Sequence, residues 1–481
     1  MRVRGGALLA LAAMLAGCGG SDSGSSIATV PGTTAGAPTP TPSPTATASA
    51  ACSLRDRQDW ALAQLQEWYL FPETLPASLD PTPYASLQDY VDALTATARA
   101  QGRDRHFTYV TSIKTEDAYN GSGSSEGLGV RLGIDPSQRL YVIEAFEGAP
   151  ALNAGIDRGA QIVAIGTTAA NEQNVASIIA AQGTAGLTDA LGPDTAGTTR
   201  VLKITDGKGT RDVTVTKASF DLPPVSSRYG IQILNDGGRQ VGYVNLRTFI
   251  TPAEQPLADG FARFRAAGIT DVIVDLRYNG GGLISTAEAL ANLLGGNRST
   301  ADVIDYNTFR PEKAANNTVA HFAPQPQSVS PMHIAFIGTG GTASASELVI
   351  NAFTPYLHKN DGLIGSNTYG KPVGQIAIDR AECDDRFRII ALAVENANHQ
   401  GGYFNGLAGT VEASCQANDD IGYPLGDPRE ASTRAALDFI EGKSCTAIPV
   451  GQSAQALGGS RRTLLSPANP STAQRDVPGL F

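Results

Sequence analysis

The stretch that decides the fold is Ile334–Phe353, with the sequence IAFIGTGGTASASELVINAF. An apolar strand pattern ends at Ile337, glycines at 338, 340 and 341 allow a sharp bend, and a short apolar helical pattern follows. Ser344 and Ser346 therefore lie at the start of a helix, beside backbone N–H groups that lack helical partners. Both serines can be helix caps, or one can be a nucleophile whose oxyanion a neighbouring N–H group stabilises.

A second strand and glycine turn precede this stretch. Asp271–Leu276 is a nearly continuous apolar strand, the pattern of a sheet that is covered on both faces. It leads into Asn279–Gly282, a turn that lacks the lysine and the glycine spacing of phosphate-binding loops. The turn is a tight strand-to-helix connection, or its N–H groups face a carbonyl oxygen. Strands alternate with helices over residues 218–445, which predicts an α/β domain.

A serine nucleophile needs a base, and the sequence offers a lysine. Neither serine lies in a Gly-x-Ser-x-Gly motif, and no His-Glu-x-x-His motif is present. We interpret His358, the histidine nearest in sequence, as a surface residue. Lys371 lies between Gly370 and Pro372 and between two apolar segments, which is not the setting of an ordinary solvated helix face. Lys371 is therefore the candidate base, and the alternative is a surface charge.

Residues 119–217 resemble a PDZ domain in three ordered parts. These are the Gly-Leu-Gly-Val loop at 127–130, an alanine-rich short helix that ends in Ala-Gly-Ile at 154–156, and a strand after Arg-Gly at 158–159. Backbone N–H groups of such a loop bind a free carboxylate, and the bound peptide adds a strand to the sheet edge. The residues predicted to bind the peptide are Gly127, Leu128, Gly129 and Val130, with Val175, Ile178 and Ile179 on the helix that lines the groove.

Residues 1–18 have the pattern of a lipoprotein signal peptide. Arg2 and Arg4 precede an apolar segment at 7–16, and Leu-Ala-Gly leads to Cys18. This ending resembles a bacterial lipobox, which implies that Cys18 is lipidated; the alternative is an ordinary cleaved signal peptide with a chance cysteine. Gly19 stands where Asp would signal inner-membrane retention, which favours the outer membrane. We expect a lipid-anchored protein of the cell envelope that faces the periplasm.

Composition divides the remaining chain. Residues 19–51 are rich in Ser, Thr and Pro and predict a flexible tether. Residues 52–118 predict a small helical domain whose aromatic side chains form its core and which has no chemistry of its own. Residues 446–481 show no periodicity and predict a flexible tail.

Charge and cysteine content exclude several functions. The net charge of -10 argues against a nucleic-acid partner, and the absence of a long apolar tract predicts no spanning helix in the mature protein. The histidines are scattered and no Cys-x-x-Cys occurs, so we predict no metal and no cofactor. Four cysteines beyond residue 18 allow up to two disulfides in an exported protein, and three pairings are possible. We expect Cys383–Cys415 and Cys52–Cys445. The sequence does not predict the oligomeric state.

Three further motifs resemble the C-terminal processing (tail-specific) serine peptidases. They are DLRYNGGG at 275–282, TASASE at 342–347 and TYGKPVGQ at 368–375, preceded in the same order by the helical and PDZ-like segments. The resemblance implies a multidomain α+β protein: an N-terminal helical domain, a β-rich PDZ-like domain and a ClpP/crotonase-like α/β catalytic domain.

The same resemblance implies roles for individual residues. Ser344 is the nucleophile, Lys371 the general base, and Gln375 the residue that orients Lys371. The oxyanion hole is formed by the N–H groups of Gly280 or Gly281 and of Ala345. Ser346 is then a helix cap. A lysine starts near pKa 10.4 and needs a drop of about 3 units to act as a base at neutral pH, which burial can supply.

The expected function is a serine endopeptidase that hydrolyses peptide bonds near the C-termini of exported proteins. Pro372 and Gly374 depart from the family's usual residues, and the segment from Ser344 to Lys371 is about two residues longer than expected. One alternative is a catalytically inactive PDZ lipoprotein that binds peptides with a free C-terminus. Another is a crotonase-like acyl-group enzyme, which does not account for the PDZ-like segment or the export signal.

Overall fold

The computed structural model describes residues 52–450 and 462–481. The predicted signal peptide, its Cys18, the tether at 19–51 and residues 451–461 of the predicted tail lie outside the described residues. Arg462–Phe481, the described part of the predicted tail, is called the tail.

Helices of the described residues are short, and several begin at a side-chain cap. Ser53 and Ser86 each accept a hydrogen bond from the backbone N–H three residues later, which satisfies one free donor of the first turn. The α-helices are α1 (Leu54–Trp68), α2 (Leu87–Leu94), α3 (Ala96–Ala100), α4 (Ile113–Ser122), α5 (Pro150–Asn153), α6 (Val175–Gln182), α7 (Ala185–Leu191), α8 (Glu254–Ala266), α9 (Ile284–Leu294), α10 (Ala345–Leu357), α11 (Ala431–Ile440) and α12 (Thr472–Asp476).

Strands are distributed over all parts of the described chain. They are β1 (Tyr109–Ser112), β2 (Ser124–Gly127), β3 (Val130–Ile134), β4 (Leu140–Ala145), β5 (Gln161–Gly166), β6 (Gln173–Asn174), β7 (Thr199–Asp206), β8 (Gly209–Thr216), β9 (Ala218–Asp221), β10 (Ile231–Asp236), β11 (Arg239–Asn245), β12 (Asp271–Asp275), β13 (Val303–Phe309), β14 (Thr318–His321), β15 (His333–Gly338), β16 (Asp361–Gly365), β17 (Val373–Arg380), β18 (Asp385–Glu395), β19 (Ala413–Gln416) and β20 (Thr463–Leu464).

A six-stranded sheet forms the centre of the predicted catalytic domain. Its order is β10-β11-β12-β15-β16-β19, with only the β10–β11 pair antiparallel. Helices α8, α9 and α10 cover one face and α11 covers the other, so the central strands are buried on both sides. Because β12 and β15 are parallel neighbours, the two glycine turns that follow them meet at the same edge of the sheet.

A second sheet joins the N-terminal segment to the catalytic domain. Its path is β1-β18-β13-β14, and β17 pairs with β18. Helices α1 and α2 pack on this sheet in one shared core, and β1 pairs directly with β18. The prediction of a separate helical domain at 52–118 is therefore wrong in this respect, because its apolar residues are buried against strands that lie about 280 residues later in sequence.

The predicted PDZ domain contains a seven-stranded sheet with the path β20-β3-β4-β5-β7-β8 and with β6 paired to β5. Helices α6 and α7 pack against the apolar face of this sheet. One strand, β20, comes from the tail and pairs antiparallel with β3. The edge of β3 is thereby covered by the protein's own chain.

The prediction of a flexible tail is wrong for residues 462–481. This segment contains β20 and α12, and Leu465, Val477, Leu480 and Phe481 are buried. The segment has no periodicity because it packs on surfaces of other elements rather than forming a face of its own.

The predicted disulfide pairing is also wrong. The bonds join Cys52 to Cys383 and Cys415 to Cys445, each with 5.5 Å between the Cα atoms. Cys415 lies in β19, and the chain at 445 runs beside that strand, where Gln416 N donates to Thr446 O at 2.7 Å. Local pairing of backbone segments decides which cysteines meet, and cysteine spacing carries no information about it.

No helix among residues 52–450 and 462–481 has the length and apolar character needed to cross a bilayer.

Candidate active site

Ser344 is the residue that precedes α10, and its backbone is strained. Its φ is 57° and its ψ is -116°, a conformation that a residue with a side chain rarely adopts. The strain follows from the sharp turn between β15 and α10, which puts Ser344 at the helix N-terminus. Strained residues at such turns are common among nucleophiles, because the turn projects the side chain away from the sheet.

The turn at 279–282 packs directly against Ser344. The Asn279 carbonyl oxygen accepts hydrogen bonds from Ala343 N at 3.0 Å and from Ser346 Oγ at 2.9 Å. A methyl group on Gly281 would lie 2.8 Å from Ser344 Cβ, so only glycine permits this approach. The prediction that Ser346 is a helix cap is therefore wrong. Ser346 is a buried donor that ties α10 to the turn at 279–282.

The N–H groups predicted for the oxyanion hole have different partners. Gly281 N donates to the side-chain oxygen of Asn279 at 2.9 Å, within the turn. Gly280 N donates to the Asp476 carbonyl oxygen in the tail at 2.8 Å. Ala345 N, in the residue after Ser344, lies 3.3 Å from the position that a Cβ on Gly281 would take. Gly280 and Ala345 are thus the better placed of the predicted donors.

Lys371 and Gln375 form the hydrogen bond that the sequence motif implied. Lys371 Nζ donates to Gln375 Oε1 at 2.9 Å, and Gln375 Nε2 donates to the Phe107 carbonyl oxygen at 2.5 Å. Burial lowers the pKa of Lys371 to about 8, with the nearby Asp476 carboxyl opposing the shift. Within the described part of the chain, no hydrogen bond joins Lys371 Nζ to Ser344.

Glu347 links the serine to the lysine loop and was not assigned a role from the sequence. This fully buried carboxylate accepts hydrogen bonds from the backbone N–H groups of Ser344 at 3.0 Å, Gly370 at 2.7 Å and Lys371 at 2.7 Å. Burial raises its pKa. The signal was present in the sequence, since Glu three residues after a helix-capping serine is half of a capping box.

The N-terminal segment also contributes to the site, contrary to prediction. Phe107 supplies the carbonyl oxygen that fixes Gln375, and its ring lies 5.2 Å from Lys371 Nζ. Arg105 donates to the carbonyl oxygens of Tyr369 and Gly370 and stacks on the Tyr369 ring at 4.1 Å. These contacts hold the backbone just before Lys371. No sequence motif marks them, because they depend on the pairing of β1 with β18.

A network of buried charges fixes the base of the second glycine turn. Arg277 is fully buried and donates to Asp275 at 2.9 Å and to Glu430 at 2.8 Å. Arg131, from β3 of the predicted PDZ domain, donates to the Tyr278 carbonyl oxygen at 2.7 Å. Arg131 therefore connects the predicted PDZ domain to the backbone immediately before Asn279.

The predicted peptide groove is filled by Phe481. Its main-chain oxygen accepts hydrogen bonds from Gly129 N at 2.7 Å and Val130 N at 3.2 Å, and its N–H donates to the Val130 carbonyl oxygen at 2.9 Å. A methyl group on Gly127 would lie 2.7 Å from the Phe481 carbonyl carbon. The Phe481 side chain belongs to an apolar cluster that also contains Leu128, Val130, Val175, Ile178 and Ile179.

Residues 240–403, which hold both glycine turns, Ser344, Lys371 and Gln375, match the family model described as peptidase family S41. This segment is a peptidase family S41 domain. The predicted resemblance to C-terminal processing peptidases is thereby confirmed at the level of the family.

Two similar proteins agree with this assignment. The chain is 26% identical over 336 residues to carboxyl-terminal-processing peptidase 3 of Arabidopsis thaliana, a match that covers 68% of this chain and 60% of that protein. It is 25% identical over 259 residues to a carboxy-terminal processing protease of Bacillus subtilis, covering 53% of this chain and 49% of that protein. The chain thus spans less than two thirds of these relatives.

A solved structure of a putative S41 protease from Bacteroides fragilis has the same fold. It superposes with a TM-score of 0.62 at 20% identity and covers 80% of this chain and 97% of that chain. The predicted multidomain fold with helices and sheets is confirmed. Among residues 52–450 and 462–481, no group of three or more His, Cys, Asp or Glu side chains is placed to hold a metal ion.

Proposed function

We propose that the protein is a serine endopeptidase that hydrolyses peptide bonds near the C-termini of exported proteins. In this proposal Ser344 is the nucleophile and Lys371 the general base. The observation that carries it is the half-buried Lys371 amine, hydrogen-bonded to Gln375, on a loop that the Glu347 carboxylate ties to the backbone of Ser344.

The proposed reaction begins with proton transfer from Ser344 Oγ to the neutral amine of Lys371, as Oγ attacks the scissile carbonyl carbon. The N–H groups of Gly280 and Ala345 stabilise the oxyanion, and each such donor contributes about 2.7–4 kcal/mol in the transition state. The Lys371 ammonium then protonates the leaving amine, and water hydrolyses the acyl-enzyme by the reverse proton path.

The environment of Lys371 supports a role as base. With a pKa of about 8, the Lys371 amine is neutral in roughly a tenth of the molecules at pH 7. Deprotonating the amine at that pH costs about 1.4 kcal/mol. Gln375 accepts a hydrogen bond from the amine without adding a negative charge that would hold the proton on it. Phe107 covers the amine with an aromatic ring and contributes to its desolvation.

The test compares the wild-type protein with Ser344→Ala and Lys371→Ala in cleavage of an unfolded test protein. Both variants are expected to lose at least about a thousandfold in rate, because a nucleophile and its base act as a unit. Lys359→Ala is the matched control. It removes an exposed lysine two residues after the end of α10 and should retain wild-type activity. Wild-type activity in Ser344→Ala would exclude the mechanism.

We further propose that residues 119–217 capture the substrate through its C-terminus. The loop at 127–130 binds a main-chain oxygen of Phe481, and the adjoining pocket holds an aromatic ring. A substrate that ends in a large apolar residue with a free carboxylate satisfies both features.

Peptides ending in Leu-Phe should bind at least about tenfold more tightly than the same peptides amidated. Equal binding would exclude carboxylate capture. A catalytically inactive binding protein would bind these peptides without cleaving them.

The cellular location is also a proposal. Cys18, in a lipobox-like setting, would carry a lipid that anchors the protein in the cell envelope, facing the periplasm and favouring the outer membrane. In Cys18→Ala the protein should move from the membrane fraction to the soluble fraction; an unchanged distribution would rule out this anchor.

A further inference from the structure

The tail reaches three functional features of the proposed peptidase at once. Phe481 lies in the predicted peptide groove, the Asp476 carbonyl oxygen lies at the Gly280 N–H group, and the Asp476 side chain lies near Lys371. Residues 464–470 and 474–476 form one wall of a cavity of about 830 Å³ whose other walls include Gly280, Lys371 and Gln375. The tail thus occupies the groove and the Gly280 donor, so a substrate that uses them must displace it.

In the groove, the tail binds as a peptide ligand would. Leu132 N donates to the Gly479 carbonyl oxygen at 2.8 Å, and Phe481 exchanges hydrogen bonds with the backbone of Val130. Leu480 pairs antiparallel with Arg131. The tail therefore adds to the β3 edge by backbone pairing, with the Phe481 ring in the apolar pocket.

At the active site, the tail occupies the donor that an oxyanion needs. Gly280 N donates to the Asp476 carbonyl oxygen at 2.8 Å, and a methyl group on Gly280 would lie 2.1 Å from the Arg475 carbonyl oxygen. Burial raises the pKa of Asp476 to about 7, and the Lys371 ammonium acts in the opposite direction. The two side chains thus favour each other's charged forms, and a protonated Lys371 cannot act as a base.

The backbone of the tail at this point is helical. Asp476 ends α12, and Val477 N donates to the Ala473 carbonyl oxygen at 2.8 Å. A peptide that is bound for cleavage by strand addition is extended, whereas this segment is coiled across the site. The tail therefore blocks the site without presenting the Asp476–Val477 bond as a substrate.

Several contacts hold the tail in this position. Arg475 donates to the His106 carbonyl oxygen at 2.8 Å and lies 4.0 Å from the Tyr109 ring centroid. Arg131 donates to the Pro478 carbonyl oxygen at 3.1 Å. Val477 and Leu480 are buried in an apolar cluster with Tyr119. These contacts involve both the N-terminal segment and the predicted PDZ domain.

We infer that the tail is an intramolecular inhibitor, which a substrate with an apolar C-terminus displaces by competing for the groove at 127–130. This inference rests on the proposed peptidase function. Because the tail is tethered, its effective concentration at the groove is of the order of millimolar, so only substrates that also engage the active site compete well. Loss of Phe481 from the groove would free the Gly280 donor and remove Asp476 from Lys371.

The first experiment weakens the tail without altering any residue of the groove or active site. Phe481→Asp places a charge in the apolar pocket, and Val477→Asp does so in the second cluster. Both variants should cleave an unfolded test protein, at a concentration below KM, at least about tenfold faster than wild type, as expected when an intramolecular competitor is removed. Val450→Asp adds the same charge at an exposed valine that lines neither the groove nor the cavity, and it should stay within about twofold of wild type. Unchanged rates in both releasing variants, with an unchanged circular dichroism spectrum, would overturn the inference.

The second experiment adds the tail in trans. A synthetic peptide with the sequence of residues 472–481 should inhibit Phe481→Asp competitively, and the same peptide with Asp at its last position should inhibit at least about tenfold less. Failure of the first peptide to bind would overturn the inference.

Binding is measured separately from catalysis. The double variant Ser344→Ala, Phe481→Asp should bind the labelled peptide as Phe481→Asp does, whether or not either protein is a peptidase. If the peptide binds but no variant cleaves the test protein, the proposed peptidase function is contradicted and binding of the tail in the groove is not. Ser344-dependent cleavage of the wild-type chain after Asp476 would show a substrate rather than an inhibitor and would overturn the inference.

Discussion

At the scale of single residues, the proposed chemistry depends on a lysine that is partly neutral near physiological pH. Burial lowers the pKa of Lys371 to about 8, while Asp476 opposes this shift. Each group favours the charged form of the other, so a change of protonation at Asp476 alters the proton affinity of Lys371.

The first prediction is a pH dependence of kcat/KM. Because the pKa of Lys371 is lowered and the neutral amine is the active form, the rate should rise about tenfold per pH unit below pH 8 and level off above it. In Asp476→Asn the charge that raises the pKa of Lys371 is absent, so the midpoint should move to lower pH. A profile that is flat from pH 6 to pH 9 would contradict the assignment of Lys371 as base.

The sequence motifs named candidates for the proposed site, but they did not reveal the residues that support those candidates. Ser344, Lys371 and Gln375 stand in short motifs with fixed spacing, so a resemblance can transfer them one by one. Phe107 contributes its carbonyl oxygen and its ring to the site. Because every residue has a carbonyl oxygen, this contribution leaves no mark in the sequence. Such a role is visible only once the fold brings the segments together.

At the scale of elements, the start of α10 is fixed by Glu347. Its carboxylate accepts hydrogen bonds from three backbone N–H groups, one beside the serine and two beside the lysine. One buried group therefore links the backbone of the two proposed catalytic residues.

The second prediction concerns Glu347→Gln. A glutamine has one acceptor oxygen, and its NH₂ group would face a backbone donor, so at least one of the three bonds is lost. We expect kcat to fall about ten- to a hundredfold with KM changed less, and the free energy of unfolding to fall by about 1–3 kcal/mol. Glu312→Gln, at an exposed position, is the control. Wild-type kcat with wild-type stability would show that Glu347 does not position the site.

Strands and glycine turns of the catalytic domain were predictable because buried parallel strands are continuous apolar runs. The assignment of β17 and β18 to a second sheet was not, because that sheet is closed by β1 from the N-terminal segment. Pairing between strands so distant in sequence leaves no local pattern.

At the scale of the whole molecule, the N-terminal segment, the predicted PDZ domain and the tail all meet at the S41 domain. Arg247 of the S41 domain and Arg131 of the predicted PDZ domain share the buried Glu144 carboxylate. The disulfide between Cys52 and Cys383 ties the start of α1 to the second sheet.

The third prediction compares the two disulfides. They join residues 331 and 30 positions apart, and in the chain-entropy model the longer loop contributes about 2 kcal/mol more to stability than the shorter. Cys52→Ala with Cys383→Ala should therefore lower the free energy of unfolding by more than Cys415→Ala with Cys445→Ala, measured by urea denaturation. The opposite order would contradict the account of how the N-terminal segment is held.

The whole-molecule arrangement was the least predictable. The tail has no amphipathic pattern, and its buried residues Leu465, Val477, Leu480 and Phe481 are scattered among polar and small residues. Its structure is set by two surfaces, the β3 edge and the active-site cleft, that exist only after the rest of the chain has folded.

The central claim is that Ser344 is a nucleophile activated by Lys371, and labelling by a serine-directed phosphonate probe tests it most directly. Peptide mapping by mass spectrometry should find the probe on Ser344 in the wild-type protein, more rapidly so in Phe481→Asp, and should find no label there in Lys371→Ala. Label on another serine, no label in Phe481→Asp, or equal labelling of Ser344 without Lys371 would contradict the account.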